Sequence, residues 1–157
     1  MNLKSSINKL MLAIFFKVQN FVKNKMNLKE LMRQFNAHGN AIVKVEVYYD
    51  RYFSDLVFEG YFKLGEDTII KLDNPQRVDG IVKTDYNTIL NLISGKITRE
   101  YGGKKYEEPF GLRDALREGR IVLVNLNTTD YLGDLLLFEK IYMSLLPTLK
   151  DEVGKYL

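Results

Sequence analysis

The spacing of hydrophobic and polar positions predicts two helices at the start of this chain. In residues 2–25 apolar side chains recur every three or four positions, opposite a polar face rich in lysine. This spacing is typical of an amphipathic helix. A second helix is predicted from Asn27, which can cap it, to Gly39, which can end it.

Strict alternation then predicts extended segments. The stretches "AIVKVEVYYD" (41–50), "DLVFEGYFKL" (55–64) and "TIIKL" (68–72) alternate apolar and polar residues and are joined by short turns. Three such segments in succession predict an antiparallel meander. A fourth strand is predicted in "PQRVDGIVKT" (75–84) and a fifth in "RIVLVNLN" (120–127).

Further helices are predicted after the fourth and fifth strands. "TDYNTILNLISGK" (84–96) has a cap at Thr84 or Asp85 and a glycine stop at Gly95. Residues 97–108 are polar with paired glycines, which predicts a loop or a hairpin, and Pro109 is expected to open a short helix. A long helix over 129–146 should end at Pro147. The fold class is therefore α+β, a mostly antiparallel five-stranded sheet covered by helices on one face.

This division predicts an N-terminal basic amphipathic helix (1–26), a globular domain (27–147) and a C-terminal tail (148–157). The first helix could pack on its own domain, lie in a membrane interface, or pair with its copy in a homodimer. The final helix is apolar around more than half of its circumference. Its excess apolar surface could belong to an ordinary core, or contact a second protein layer or a lipid.

Charge bears on the first helix more than on the rest of the chain. The net charge of the 157 residues is +3, but residues 1–33 sum to +6 and the remainder to −3. Any attraction to an anionic surface, such as a membrane, is therefore expected at the N-terminus, and nucleic-acid binding is not expected. The residues expected to contact a membrane are Leu10, Met11, Ile14, Phe15, Lys9 and Lys17.

Composition also limits compartment and chemistry. The chain has no cysteine, its apolar run "LMLAIFF" is too short to span a bilayer, and no small-residue cleavage site follows it. A cytoplasmic location is expected. The single histidine, His38, lacks the partners of a catalytic triad, and "YGGKKY" (101–106) lacks the context of a phosphate loop. We therefore expect no catalytic residue, metal site or cofactor, and no enzyme activity.

Two motifs resemble those of the sterol carrier protein-2 family. The first lies in the fourth strand and the helix after it, the second at the end of the short helix and in the fifth strand. The matching residues are Asp79, Ile81, Val82, Asp85, Ile89, Leu90, Leu92, Ser94, Gly95 and Lys96, followed by Ala115, Gly119, Arg120, Ile121 and Leu123. The resemblance covers roughly residues 28–146.

The resemblance implies an α+β domain whose sheet and helices enclose an apolar tunnel. Members of the family bind or transfer sterols, fatty acids or fatty acyl chains without chemistry of their own. The residues that would contact lipid here are Phe58, Phe62, Tyr86, Ile89, Leu90, Ile93, Phe110, Leu112, Leu116, Leu132, Leu136 and Phe138.

Two other functions are compatible with the sequence. The chain could be a non-enzymatic interaction module with a filled core, which dimerises or docks on a partner through residues 2–25. It could also present a lipid-linked substrate to a separate enzyme. An internal apolar cavity would favour lipid binding over the filled module.

Overall fold

The computed structural model describes residues 2–126 and 128–154, with the backbone alone at 128–129 and 152–154. Over these residues the helices are α1 (Leu3–Lys25), α2 (Leu28–Phe35), α3 (Tyr86–Ser94), α4 (Leu112–Arg117) and α5 (Thr128–Gly154). The strands are β1 (Val43–Tyr48), β2 (Leu56–Leu64), β3 (Ile69–Leu72), β4 (Gly80–Asp85), β5 (Lys96–Tyr101), β6 (Lys104–Pro109) and β7 (Ile121–Val124).

Five of these strands form one sheet in the order β3-β2-β1-β4-β7, and β5 pairs with β6 in a separate hairpin. The pairs β1–β2, β2–β3 and β4–β7 are antiparallel, while β1–β4 is parallel. The predicted α+β class and mostly antiparallel five-stranded sheet are confirmed. The parallel pairing of β1 with β4 was not predicted, because alternation within a strand carries no information about its neighbours.

The two faces of the sheet differ in chemistry. One face is apolar and lies under the helices. The other carries the buried Glu46, whose carboxylate lies 2.9 Å from the Lys44 ammonium and accepts a hydrogen bond of 2.8 Å from the Tyr48 hydroxyl. Burial alone would raise the pKa of Glu46, but Lys44 and Tyr48 outweigh it and the pKa is lowered. The buried charge on this face is therefore paired rather than isolated.

Helix α1 packs against β2, β3 and α5. Its apolar stripe is inserted into the core, where Ile7, Leu10, Met11 and Val22 are buried. The Thr68 hydroxyl donates to the Gln19 carbonyl at 2.7 Å, which fixes the helix beside β3. Of the three arrangements open to this helix, the structure has the one packed on its own domain.

The cap predicted for α3 is confirmed at Asp85. Its carboxylate accepts hydrogen bonds from the Thr88 amide at 3.0 Å and the Thr88 hydroxyl at 2.7 Å. Gly95 ends the helix in the left-handed conformation, at φ 76°. Helix α2 is shorter than predicted, because Asn36 already adopts the left-handed conformation at φ 54° and Gly39 lies beyond it.

Residues 97–108 form most of the β5–β6 hairpin, the second of the two predicted alternatives. Its turn residues Gly102 and Gly103 both have positive φ, as a two-residue hairpin turn of type I′ requires. Pro109 does not open a helix. It ends β6 opposite Lys96, and α4 begins later, where the Asp114 carboxylate accepts from the Gly111 amide at 2.9 Å.

The prediction that Pro147 ends the last helix is wrong. Helix α5 continues through Pro147 to Gly154, so residues 148–154 of the predicted tail are helical, and residues 155–157 lie outside the described ones. The buried series Leu137, Ile141, Leu145 and Leu149 keeps helical spacing across the proline. Burial of Leu149 thus offsets the hydrogen bond that proline cannot donate. Among the described helices, none is long and apolar enough to cross a membrane.

Helices α2 and α5 approach each other closely at Gly133. A Cβ atom at this position would lie 2.4 Å from the Phe35 carbonyl oxygen and 2.5 Å from that of Asn36. The next residue, Asp134, is buried and accepts a hydrogen bond of 2.9 Å from the His38 amide. Gly133 therefore allows a helix crossing that no larger residue would fit.

Candidate functional site

An apolar cavity of about 470 Å³ lies between the apolar face of the sheet and the helices α1, α4 and α5. Every one of these elements contributes to its wall. The lining residues are Phe15, Val18, Val43, Val45, Phe62, Ile69, Val82, Leu112, Leu116, Ile121, Leu123, Leu135, Leu136, Phe138 and Glu139.

The floor of the cavity is built by strand register. Val45 of β1 pairs with Val82 of β4, and Val82 pairs with Leu123 of β7, so that three lining side chains form one row across the sheet. Residues that are paired across a sheet point to the same face. Because β-branched and leucine side chains occupy this row, the floor offers neither a hydrogen-bond donor nor an acceptor.

One wall is aromatic. The rings of Phe15 in α1 and Phe62 in β2 lie 5.1 Å apart between centroids, with an angle of 51° between their planes. The Phe62 ring lies over Gly60, where a Cβ atom would be 2.8 Å from it. The absence of a side chain at Gly60 therefore lets the ring lie along the strand.

The cavity reaches the surface between α4 and α5. Leu116 of α4 and Leu136 of α5 line it and are each 39% exposed. Beside them the Arg113 guanidinium makes two hydrogen bonds to the Glu139 carboxylate: Nη2 to Oε1 at 2.9 Å and Nε to Oε2 at 3.3 Å. This pairing raises the pKa of Arg113. The mouth thus combines exposed leucines with one ion pair.

The structure brings together five of the twelve predicted lipid-contact residues. Phe62, Leu112, Leu116, Leu136 and Phe138 line the cavity. The others lie elsewhere. Phe58 and Ile93 are buried in the core of packed side chains, Tyr86, Ile89 and Leu90 pack against it, Phe110 belongs to a smaller core beside β7, and Leu132 is 52% exposed.

The residues predicted to contact a membrane lie in three different environments: the core, the cavity wall and the exposed face of α1. Leu10 and Met11 are buried in the core, at 1% and 6% exposure, and in this arrangement cannot reach a membrane. Ile14 is partly buried against the core, and Phe15 lines the cavity. Lys9 and Lys17 are on the exposed face of α1.

Two thirds of the lining residues are not among the predicted lipid contacts. Alternation predicts an apolar side for each strand, but nothing in the sequence indicates which part of the assembled sheet face is left uncovered. Phe15 and Val18 lay on a helix that was assigned to an extension outside the domain. Leu135 belonged to the apolar excess of the last helix without being selected, and Glu139 gave no signal at all.

Comparisons with known proteins give a weak structural likeness. No family model and no curated protein matches the chain. A conserved hypothetical protein of Thermus thermophilus, described as a possible sterol carrier protein, is similar in structure with a TM-score of 0.44 and 13% identity. The match covers 87% of this chain and 85% of that one.

A second solved structure is the methyltransferase MycE of the mycinamycin biosynthetic pathway, in complex with Mg and SAH. It matches with a TM-score of 0.31 and 11% identity, over 96% of this chain and 39% of that chain. At such TM-scores neither neighbour bears on what the cavity binds. The resemblance to the sterol carrier protein-2 family stays a prediction from the sequence.

Proposed function

We propose that this protein binds a lipid by taking one acyl or comparable apolar chain into the cavity, without chemistry of its own. The observation that carries the proposal is the cavity itself. Its volume of about 470 Å³ is bounded by apolar side chains from every neighbouring element. Ligand cavities typically have about 300–1,000 Å³ and few polar groups. The rival function, an interaction module, would instead require a filled core without such a cavity.

Chain-length dependence is the expected signature of this binding. Each buried CH₂ group contributes about 0.8 kcal/mol, which is about a fourfold change in Kd. We would displace a fluorescent acyl probe from the delipidated protein with primary alcohols of increasing length. Affinity should rise about fourfold per CH₂ and level off once the cavity is full. Displacement that does not depend on chain length would exclude the proposal.

A matched pair of variants in β7 locates the binding. Leu123→Trp would fill the cavity from its floor, whereas Val122→Trp adds the same group to the adjacent residue, on the opposite face of the strand. The Leu123 variant should lose probe binding while the Val122 variant retains it, with the fold of both checked by circular dichroism. Equal loss in both variants would mean that the probe does not occupy the cavity.

A native ligand should accompany the protein from its source. Native mass spectrometry after mild extraction is expected to find an additional mass that delipidation removes. A chain that never carries such a mass and does not bind the probe would leave the interaction module as the better account.

We further propose that the exposed face of α1 brings the protein to anionic membranes. Lys9, Lys17 and Lys23 lie on this face beside the exposed Phe16, while Phe15 and Val18 of the same helix line the cavity. Only the polar face is available, because the apolar stripe is in the core. Sedimentation with vesicles of phosphatidylglycerol, but not of phosphatidylcholine, is expected. Equal sedimentation with both would contradict this part.

A further inference from the structure

The mouth of the cavity contains a specific polar feature that apolar burial does not explain. Among the described residues that line the cavity, Glu139 is the one with a charge. Its side chain is 27% exposed, and that of its partner Arg113 is 78% exposed. Glu139 therefore lines the cavity at its boundary with solvent, and Arg113 lies on the outer side.

Helix geometry places the ion pair at the entrance. Arg113 and Leu116 are three residues apart on α4, and Leu136 and Glu139 are three residues apart on α5. Residues at this spacing are neighbours on a helix surface. The leucines are the exposed part of the lining, so the head of a ligand whose chain fills the cavity would lie next to Glu139.

The hydrogen-bonding capacity of the Glu139–Arg113 pair differs for hydroxyl and carboxylate head groups of a ligand. An ionised carboxylate only accepts hydrogen bonds and has about four lone-pair sites, of which Arg113 occupies two. The remaining sites can accept from a hydroxyl group. A ligand carboxylate has no hydrogen to donate, and it would bring a like charge to Glu139 unless it displaced Glu139 from Arg113.

We infer that Glu139 and Arg113 form a head-group site that selects neutral, hydroxyl-bearing amphiphiles over fatty acids. The inference rests on the proposed function, since it assigns the head of the ligand whose chain fills the cavity. Glu139 accepts the hydroxyl hydrogen. Arg113 compensates the charge of Glu139, so that a neutral head meets a neutral pair.

The test compares dodecanol with dodecanoate at a pH of about 8, where the fatty acid is ionised. The unmodified protein should bind dodecanol about tenfold more tightly. In Glu139→Gln the repulsion is removed and Arg113 can pair with the ligand carboxylate. We therefore expect dodecanoate binding to strengthen and the preference to reverse. Arg113→Gln should weaken dodecanoate binding further and leave dodecanol binding within about twofold.

Two control variants carry the same charge changes away from the mouth. Glu107→Gln removes a carboxylate of the β5–β6 hairpin, and Arg33→Gln removes an exposed arginine of α2, a helix that does not line the cavity. Neither should alter the ratio of the two affinities. Equal binding of both ligands, or an unchanged ratio in Glu139→Gln, overturns the head-group site while the proposed function stands. Failure of both ligands to bind overturns the two together.

Discussion

Two regions under the same sheet face, the cavity and the packed core, are both lined by apolar side chains but differ in how densely these side chains pack. In β1, Val45 lines the cavity, whereas Val47, two residues further along the same face, is buried in the packed core at 1% exposure. In α5, Leu135 lines the cavity and Leu137 is fully buried in the core. Apolar character alone thus does not determine whether a position is solid core. The presence of a side chain opposite it does.

The largest contrast is expected from shortening the two leucines of α5. Leu137→Ala removes contacts on all sides and should lower the free energy of unfolding by about 2–5 kcal/mol. Leu135→Ala removes a side chain that already faces a void, so its cost should be about 1–2 kcal/mol. Urea denaturation measures both. Similar losses in the two variants would mean that the cavity region is packed like the core.

Gly133→Ala tests the tightest contact of the packed region. Alanine is favoured over glycine in a helix by about 1 kcal/mol, yet its Cβ would overlap the Phe35 carbonyl oxygen. A net loss of about 1–3 kcal/mol is expected, because α2 and α5 must separate. Thr148→Ala, at an exposed position of α5, should instead be neutral or slightly stabilising. A stabilising Gly133→Ala would show that the helices do not approach so closely.

Acid should lower the free energy of unfolding by protonating Glu118, the residue that follows α4. Its carboxylate lies 2.6 Å from Arg99 and 3.1 Å from Arg120, and these contacts lower the pKa of Glu118 to about 2, against the effect of burial. The unfolded chain therefore binds a proton between pH about 5 and 2 that the folded chain does not. This stabilisation is complete above that window and is lost as the pH falls.

The loss should be about 1–2 kcal/mol, because solvent screens part of the interaction. The measurement is urea denaturation of the unmodified protein and of Glu118→Gln at several pH values. The variant should show the smaller decrease toward low pH. Parallel curves for the two proteins would contradict the assignment of the pKa shift to folding.

The smallest expected effect comes from adding one CH₂ group to β1, either at the cavity or in the packed core. Val45→Ile adds one CH₂ group toward the cavity and should be neutral or stabilise by up to about 0.8 kcal/mol. Val47→Ile adds the same group to a filled core and should cost about 1 kcal/mol or more. Thermal unfolding of the two variants is sufficient to compare them. The opposite order would mean that the space beside Val45 is not available.

The sequence was informative wherever the signal is local. Alternation identified the sheet strands, and the cap at Asp85 and the stop at Gly95 were found because their chemistry acts within one helical turn. Predictions failed where packing between distant residues decides. Leu149 keeps α5 helical beyond Pro147, and burial of Leu10 and Met11 makes α1 part of the core.

The candidate site was predicted in part for the same reason. Leu112, Leu116 and Phe138 could be named because they lie on apolar helix faces. Val82 and Leu123 could not be assigned to the lining from the sequence, since strand order and register decide that they join Val45 in one row. The acidic Glu139 was hidden among the charged residues of the last helix, and its position at the mouth depends on where α4 packs.

The most direct test is to observe which methyl groups contact a bound chain. Intermolecular NOEs between dodecanol and the methyl-labelled protein should involve Val45, Val82 and Leu123, and should not involve the core methyls of Val22, Leu137 and Leu145. Such a pattern is what a chain inside the cavity predicts. NOEs confined to exposed side chains such as Met143, or none at any lining methyl at saturation, would contradict the proposal that the cavity binds lipid.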